Sequence, residues 1–505
     1  MLKDAVTRLS RHTVIYAVAG QASRLLSFLL IPFYTTYLKE QDYGIIEMLS
    51  LMLSVLAFLA GVNMANAMSR FYFEKPDLAH RQTVVSTALI SVAGAALIVA
   101  GLLALAANPI GRLLGADFPG MTHLVLVTLG ILVLQTVREM YFQYLRLGER
   151  STLFTVVSLA KLAVELSFQI WFVAWLHLGV LGLFYAVLIG EGLTLLLMSC
   201  LVLPVTGLRF SPSLFNSMAL FVLPLVPTGL LQFCLHSGDR YILRAATDNT
   251  QVGIYSLAYK FGYIPNYLLL TPFMMIWFPY IFSLENDDAR RQLIGRIMPY
   301  FMFGMTACCL VTSLLAREAV TLMAQQPGFH AAWPAVPLVC AGYWFWSFFL
   351  FVQTVFLIVK RTNTLLVLTG IAVAINLILN LLLVPQLGLM GAAWATMVTF
   401  ALLVAIGVRA VRSVFPIAWQ WRRVVIPGLS ASALCLTLTL ADLRPGTVSI
   451  SIKLVAFVVW LSWMCAGGFL KREERLTVIA ALRNIRWTAG RTRMAEAEVG
   501  GTARR

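Results

Sequence analysis

Four cations, Arg24, Arg138, Lys161 and Lys260, lie inside long apolar runs of this sequence, where charges are rare. A charged side chain at the centre of a bilayer costs about 3 kcal/mol or more, so it usually faces a cavity, a partner or a cargo. The charge within these runs is mostly positive, and no large polar domain accompanies it. The sequence therefore indicates a pathway for an anionic molecule.

Arg24 has the clearest chemistry of these cations. It lies about eleven residues into the first apolar run, which at about 1.5 Å per residue is near the middle of a membrane. A guanidinium group can hold a phosphate through two hydrogen bonds, so we predict that Arg24 binds the cargo. A structural pairing with a buried carboxylate is the alternative. Lys260 either faces the same cleft or extends its ammonium group to the membrane surface.

Lys161 and Glu165 stand one helical turn apart, a spacing that favours a local ion pair. The alternative is that Lys161 lines the cleft and contacts cargo. Glu191 is alone in its apolar run, and three roles are open to it: it is protonated, it pairs with Lys161, or it binds the ion that drives transport. Burial disfavours the charged form of a carboxylate, so its protonation would respond to conformation. Glu165 is a second candidate for this coupling role.

Asp239 and Arg240 follow an apolar run at its outer end. They either fix the contact between helices there, or Arg240 binds cargo and Asp239 takes part in ion coupling. The next run carries a tyrosine at every fourth position from 255 to 267, which places these rings along one helix face. Such a stripe suits helix packing or stacking against a sugar.

Runs of about 20 apolar residues are typical of membrane-crossing helices, and only 12% of this chain is charged. We predict an all-α integral membrane protein with about fourteen transmembrane helices and no soluble domain. The predicted helices, numbered span 1 to span 14 in chain order, are 13–38, 44–68, 83–107, 120–143, 152–176, 179–203, 214–236, 253–281, 296–316, 333–358, 364–385, 388–408, 424–441 and 448–470.

The basic residues predict the orientation. Of the 38 Lys and Arg, 27 fall on the side of the membrane that carries both termini and seven on the opposite side. Because positive charge concentrates on the cytoplasmic side, we predict a multi-pass protein of the bacterial inner membrane with both termini cytoplasmic. The basic tail, 471–505, is expected to lie on anionic lipid or to be disordered. This distribution explains the net charge of +16 without a nucleic-acid partner.

Enzymatic chemistry has no support in the sequence. Six histidines are scattered singly, and seven cysteines fall within predicted spans without the spacing of metal ligands. A phosphate-binding glycine loop is also missing from the sequence. We therefore predict no catalytic residues, no metal and no cofactor.

One internal offset, 209 residues, relates the two halves of the chain. Gly44-Ile45 returns as Gly253-Ile254, and the Leu-Gly turn at 178–182 returns at 387–391. Six spans separate the copies, so both halves insert in the same direction and are related by an axis along the membrane normal.

This offset predicts the domain organisation. We expect a six-helix N-terminal lobe in 1–208, a six-helix C-terminal lobe in 209–412, and two extra helices in 413–470. A cleft between the lobes would open alternately to each side of the membrane.

Several segments resemble a known family. Residues 237–243 read Ser-Gly-Asp-Arg-Tyr-Ile-Leu and 252–256 read Val-Gly-Ile-Tyr-Ser, with Pro-Phe-Tyr at 32–34 and Tyr-Gly-Ile at 43–45. In these motifs the chain resembles the O-antigen-type polysaccharide flippases of the multidrug/oligosaccharidyl-lipid/polysaccharide exporter superfamily, over residues 1–470.

The resemblance implies a flippase that moves an undecaprenyl-pyrophosphate-linked oligosaccharide from the cytoplasmic to the outer leaflet by alternating access. Membrane lipids and the polysaccharide polymerase machinery are its expected partners. Two other function classes stay open: an exporter of another cargo, such as a peptidoglycan lipid precursor or a drug, and a membrane polymerase or glycosyltransferase. A pump for cationic drugs would need an acidic cleft, and such enzymes have a sizeable outer loop.

Overall fold

The structure is a computed structural model that describes residues 28–115, 118–442 and 444–469. Arg24, most of span 1 and the basic tail lie outside the described residues. Spans 2 to 14 are found as thirteen helical segments long and apolar enough to cross a membrane. In chain order they are Glu40–Leu59, Leu78–Leu105, Met121–Leu147, Ser151–Trp175, Gly179–Thr206, Pro212–Ser237, Asn249–Ser283, Asp287–Leu314, Pro327–Ile358, Thr362–Leu387, Leu389–Arg412, Trp421–Leu440 and Thr447–Gly467.

Polar residues at the helix starts explain several of these bounds. The side chains of Asp77, Ser211, Asp248 and Asn286 each accept a backbone N–H at the first turn of spans 3, 7, 8 and 9. Span 2 is shorter than predicted. It ends at Leu59 because Gly61 adopts a φ of +88°, and the chain resumes as the separate helix Met64–Tyr72.

The 209-residue repeat is visible in the backbone. Gly179 and Gly388 begin spans 6 and 12 with φ of +55° and +57°. Short helices follow spans 3 and 9 at equivalent places, Ala107–Gly115 and Ala316–Met323. The all-α membrane fold with two repeated six-helix lobes and two additional helices is therefore confirmed, while the residue limits of the lobes stay a prediction.

Span 7 belongs to both halves. It is divided at Pro224 into Pro212–Val222 and Leu225–Ser237. The first part packs against Met64–Tyr72 and span 3, and the second packs against span 11 and span 2. A proline inside a helix removes a backbone hydrogen bond and bends the chain. Because of this break, the two parts of span 7 pack against different helices.

Spans 13 and 14 attach to the C-terminal lobe through buried polar and aromatic contacts. In span 14, Lys453 donates to both carboxylate oxygens of Glu318 at 2.6 and 2.8 Å, and Ser449 donates to the same carboxylate at 2.7 Å. The rings of Phe303 and Trp460 stack at 5.9 Å. Glu318 lies in the short helix Ala316–Met323, outside the spans, so this contact holds span 14 at one membrane face.

We predict that Lys453→Met lowers stability on the order of 3 kcal/mol, because it leaves a buried carboxylate unpaired. Adding Glu318→Gln should restore most of that loss. Burial alone would raise the pKa of Glu318, but hydrogen bonds from Lys453 and Ser449 lower it more, and the net shift is downward. Stability from the pair is therefore present above the ordinary carboxyl pKa and is lost as pH falls through the lowered one.

Thermal melting of the purified protein across a pH series measures both effects. The wild type should lose its advantage over the double variant below about pH 4. Equal melting temperatures of the wild type and Lys453→Met at neutral pH would contradict the prediction.

Candidate substrate cavity between the lobes

Spans 2 and 8 cross in direct backbone contact at the ends where both begin. A Cβ atom on Gly44 would lie 1.8 Å from the backbone oxygen of Asn249, and a Cβ on Gly253 would lie 2.0 Å from that of Glu40. Gly253 is the repeat equivalent of Gly44, and Asn249 is the repeat equivalent of Glu40, since the residues of each pair are 209 apart. Each contact is therefore the repeat counterpart of the other. The two lobes therefore meet around a local two-fold axis, and only glycine fits at the crossing.

Hydrogen bonds around this crossing repeat the same symmetry. The Leu114 carbonyl, at the end of the short helix in the N-terminal lobe, accepts from Arg244 at 3.2 Å and from Asn249 at 3.1 Å. The Met323 carbonyl, its equivalent in the C-terminal lobe, accepts from the Thr35 hydroxyl at 3.2 Å. Thr35 and Arg244 are themselves 209 residues apart. We call these contacts and the glycine crossing the seal.

A cavity of about 330 Å³ lies next to the seal. That volume is within the usual range for small-ligand pockets. Its wall comes from span 2, span 7, the short helix Asp239–Ala246 that follows span 7, span 8 and span 10. The lining residues are Glu47, His236, Ser237, Arg240, Ser256, Tyr259, Lys260, Tyr263, Tyr267, Tyr343 and Trp346.

Arg240 is the most enclosed charge in this wall. Its side chain is 6% exposed, and its Nε lies 3.0 Å from Oε1 of Glu47 in the opposite lobe. The same guanidinium group donates to the His236 carbonyl at 3.2 Å and lies 4.1 Å from the Tyr259 ring centroid. Cation–π contact and ion pairing together hold it at the cavity edge. The Arg240 Nε is close to the Glu47 carboxylate but does not have the alignment of a hydrogen bond with it. The N–H of this nitrogen therefore remains available to a ligand.

Asp239 lies behind Arg240, away from the cavity lining. Its Oδ1 lies 3.2 Å from Nη1 of Arg240, so the two neighbours do contact each other. Its Oδ2 accepts from the Tyr255 hydroxyl at 2.6 Å and the Thr396 hydroxyl at 3.3 Å. This buried carboxylate joins span 12 to the start of span 8, and hydroxyl donors satisfy its charge.

Lys260 faces the cavity. Its Nζ lies 4.8 Å from the Tyr43 ring centroid and 6.0 Å from that of Tyr34, so aromatic faces from the N-terminal lobe surround an ammonium group of the C-terminal lobe. The buried hydroxyl of Ser256 lines the same cavity without a hydrogen-bond partner. Unpaired buried polar atoms are unusual and indicate a place for a polar ligand.

Aromatic rings complete the wall. His236 lies edge-on to Trp346 at 4.5 Å, and Tyr263 lies edge-on to Tyr343 at 4.6 Å. The tyrosine stripe of span 8 therefore packs against span 10 and borders the cavity as well. Trp346 of span 10 lines the cavity too.

Lys161, Glu165 and Glu191 form a separate cluster inside the N-terminal lobe. Lys161 Nζ lies 2.7 Å from Glu165 and 3.2 Å from Glu191, and Arg138 Nε lies 2.6 Å from Glu191. A Cβ atom on Gly190 would come within 2.3 Å of the Glu165 side chain, so glycine makes room for it. Two cations and two carboxylates balance, which satisfies every charge locally.

The structure thus divides the predicted site residues between two places. Arg240 and Lys260 share the cavity and Asp239 adjoins it, whereas Lys161, Glu165 and Glu191 pair with one another elsewhere. Arg138 also contacts its neighbour Glu139 at 3.4 Å, but its closer partner is Glu191. Arg24 lies outside the described residues. The roles of all these residues stay predictions.

The sequence interpretation missed Glu47 and treated His236 as a scattered histidine. A signal for Glu47 existed: it is a carboxylate within an apolar span, three residues after the repeated Gly44-Ile45. Tyr43, Tyr343 and Trp346 had no comparable signal, because aromatic residues are common throughout the chain.

A protein-family model described as polysaccharide biosynthesis protein matches residues 9–285, more than half of the chain. The chain belongs to the polysaccharide biosynthesis protein family. The search of curated proteins found no match to this sequence.

Solved structures of similar fold are transporters and flippases. A lipid II flippase MurJ in an inward closed conformation matches with a TM-score of 0.73 and 15% identity, over 89% of this chain and 98% of that one. A multidrug resistance MATE family transporter, inward-facing, matches with a TM-score of 0.61 and 15% identity, over 78% and 95%. An outward-facing conformation of a multidrug resistance MATE family transporter matches at 0.57 and 14%, over 85% and 96%. These likenesses establish the fold of the family member, which is a multi-pass membrane transporter fold.

Proposed function

We propose that this protein is a flippase that carries an undecaprenyl-pyrophosphate-linked oligosaccharide from the cytoplasmic to the outer leaflet of the bacterial inner membrane. Transport proceeds by alternating access of the cleft between the two lobes and serves the synthesis of a cell-surface polysaccharide such as O-antigen or exopolysaccharide. The family match and the transporter fold support the general class. Family and fold do not specify the cargo, so its chemical class is proposed from the cavity, and the oligosaccharide from the resemblance of the motifs at 237–243 and 252–256.

One observation supports a phosphate-linked glycan as the class of cargo: two cations, Arg240 and Lys260, border a polar, tyrosine-rich cavity between the lobes. A pyrophosphate needs cations and hydroxyl donors, and a sugar ring needs aromatic faces and hydrogen-bonding groups. Among the described residues that line this cavity, Glu47 is the one carboxylate. With Arg240 and Lys260 against one carboxylate, these lining residues carry a net positive charge, which disfavours a cationic drug as cargo.

The lipid precursor of peptidoglycan is the second candidate cargo. The match to a lipid II flippase has a higher TM-score than either match to a MATE family transporter described above. Both candidates need the same cations, so the cavity geometry supports either.

Reconstituted liposomes separate the two cargoes. The purified protein should move a fluorescent undecaprenyl-pyrophosphate oligosaccharide between leaflets, as measured by accessibility to a membrane-impermeant reagent, faster than it moves lipid II. In cells, deletion of the gene should leave the labelled lipid-linked oligosaccharide on the cytoplasmic leaflet. Faster movement of lipid II than of the oligosaccharide, with lipid II trapped on the cytoplasmic leaflet of the deletion strain, would contradict the proposal.

The ion-coupling role also stays a proposal, and Asp239 is its best-placed candidate. It is 3% exposed, contacts Arg240 at the cavity and binds span 12 through Thr396. Binding of H⁺ or Na⁺ there would change a contact between helices as well as a charge beside the cavity. Glu165 and Glu191 are less suited, because their ion pairs with Lys161 lie inside the N-terminal lobe, away from the cavity.

We predict that Asp239→Asn makes the flipping rate independent of an imposed pH or Na⁺ gradient, while Glu191→Gln keeps the dependence and lowers thermal stability. The reason is that, of the three predicted coupling residues, Asp239 adjoins the cavity through Arg240, whereas Glu165 and Glu191 lie in a separate cluster. Flipping in liposomes with imposed gradients is the measurement, and melting of both variants is the control. Retained gradient dependence in Asp239→Asn would exclude this residue.

A further inference from the structure

Two arginines at one membrane face of the N-terminal lobe have no carboxylate partner among the described residues. Arg81 lies in the first turn of span 3, and Arg150 precedes span 5. The Arg81 guanidinium carbon lies 5.2 Å from the ring centroid of Tyr72 and 5.8 Å from that of Phe73, while that of Arg150 lies 5.8 Å from Tyr144. Aromatic rings hold both cations in place.

The Tyr72 hydroxyl connects the two arginines. The helix Met64–Tyr72 packs against span 4, which carries Tyr144, and Arg81 and Arg150 both lie near the Tyr72 hydroxyl, which accepts a hydrogen bond from Arg81. The Arg81 Nε is buried and has no hydrogen-bond partner. Beyond the hydrogen bond of Arg81 with Tyr72, a stacked guanidinium group keeps further N–H donors on its edge, and these match the oxygens of a phosphate. Two such groups with two phenol hydroxyls form an anion-binding cluster.

The cluster lies at headgroup depth, since it occupies the ends of membrane-length helices. Phe73 and Leu78, beside Arg81, are 60% and 66% exposed, which leaves apolar surface where acyl chains would run. The nearby carboxylate of Asp77 is engaged by the His80 backbone N–H at 3.1 Å. Two further carboxylates, Glu74 and Glu149, are exposed and stand next to Lys75 and Arg150 in the sequence.

The repeat supplies a comparison within the same chain. Arg290, 209 residues after Arg81, occupies the same place at the start of span 9. It pairs with Asp287 at 2.8 Å, whereas the equivalent of Asp287 in the N-terminal lobe is Leu78. One copy is thus neutralised internally, and the other keeps an available charge.

We propose that Arg81 and Arg150, with Tyr72 and Tyr144, bind the phosphate of an anionic phospholipid headgroup, a site separate from the cavity between the lobes. Phosphatidylglycerol or cardiolipin has the required chemistry: a charged phosphate next to acyl chains that cover Phe73 and Leu78. The site does not depend on which cargo the protein carries.

The test counts phospholipids bound to the full-length protein by native mass spectrometry during titration with phosphatidylglycerol, with zwitterionic phosphatidylcholine as the comparison lipid. The site should bind phosphatidylglycerol in the wild type. Each lost arginine should weaken this binding about fivefold, and Arg81→Ala with Arg150→Ala about thirtyfold. Leu78→Asp, which copies the internal partner of Arg290, should weaken it about fivefold. Arg290→Ala, the matched control, should change it less than twofold.

A variant that keeps both positive charges controls for misfolding. Arg81→Lys with Arg150→Lys should have the melting temperature of the wild type and keep most of the phosphatidylglycerol binding. Equal loss in Arg290→Ala and Arg81→Ala would mean diffuse surface attraction and overturn the proposal. Displacement of the lipid by millimolar inorganic phosphate would also overturn it, because the site would then take soluble phosphate.

Discussion

Replacing Arg240 by alanine is expected to lower the flipping rate about a hundredfold, as removal of a buried charge partner costs about 3 kcal/mol. The side chain is the most enclosed cation of the cavity and keeps an unused donor. Arg240→Lys should retain part of the activity, because an ammonium group keeps the charge but loses the planar two-point contact with phosphate. Flipping of a fluorescent lipid-linked oligosaccharide in liposomes is the measurement.

Stability must be measured on the same Arg240 variants, because Arg240→Ala also leaves Glu47 and Asp239 without their cation. Adding Glu47→Gln should recover melting temperature but not transport if Arg240 binds cargo. Recovery of transport in that double variant would mean that Arg240 only neutralises Glu47. Arg112→Ala, which removes an exposed arginine from a nearby short helix, is the matched control and should leave transport unchanged.

Gly253→Leu is expected to abolish transport by preventing closure of the seal. Its Cβ alone would overlap the Glu40 backbone oxygen, at 2.0 Å, and backbone cannot move aside as a flexible side chain can. The variant should remain inserted and folded, with the lobes separated where spans 2 and 8 begin. Gly44→Leu should have the same effect, because the repeat makes the two positions equivalent.

Cysteine cross-linking across the seal, between Thr35→Cys and Gln325→Cys, would detect this separation. The two residues are in hydrogen-bond contact in the closed seal, so the wild-type background should cross-link and Gly253→Leu should not. Gly101→Leu is the control, since nothing lies within 4 Å of that glycine's Cβ position. Undiminished cross-linking in Gly253→Leu would show that spans 2 and 8 accommodate the larger side chain without separating, which would contradict the prediction.

The fold was largely predictable from the sequence, because apolar runs and a constant repeat offset are local, additive signals. All thirteen spans in the described residues coincide with predicted ones, and the 209-residue offset recurs in Gly179 and Gly388. Span 2 was predicted too long, since a run of apolar letters does not reveal the turn at Gly61.

The site was less predictable, because pairing depends on distances between helices. The Lys161–Glu165 pair follows from spacing on one helix, but the Arg138–Glu191 contact joins two helices, and spacing along the chain carries no information about it. The same reason hid Glu47, whose partner Arg240 lies in the opposite lobe. Positive charge counted along the chain therefore overstated the available charge: Lys161 is already neutralised, and Arg240 already has counter-ions.

The pair between Glu47 and Arg240 has a consequence for affinity. Glu47 acts as a built-in competitor: a cargo phosphate that seeks Arg240 must first displace a carboxylate of the protein itself. If the pair is open for about 1% of the time, the measured affinity falls about a hundredfold below the intrinsic one. Weak apparent binding is tolerable for a molecule confined to the bilayer, where its local concentration is high. Glu47→Gln should therefore tighten cargo binding while slowing cargo release.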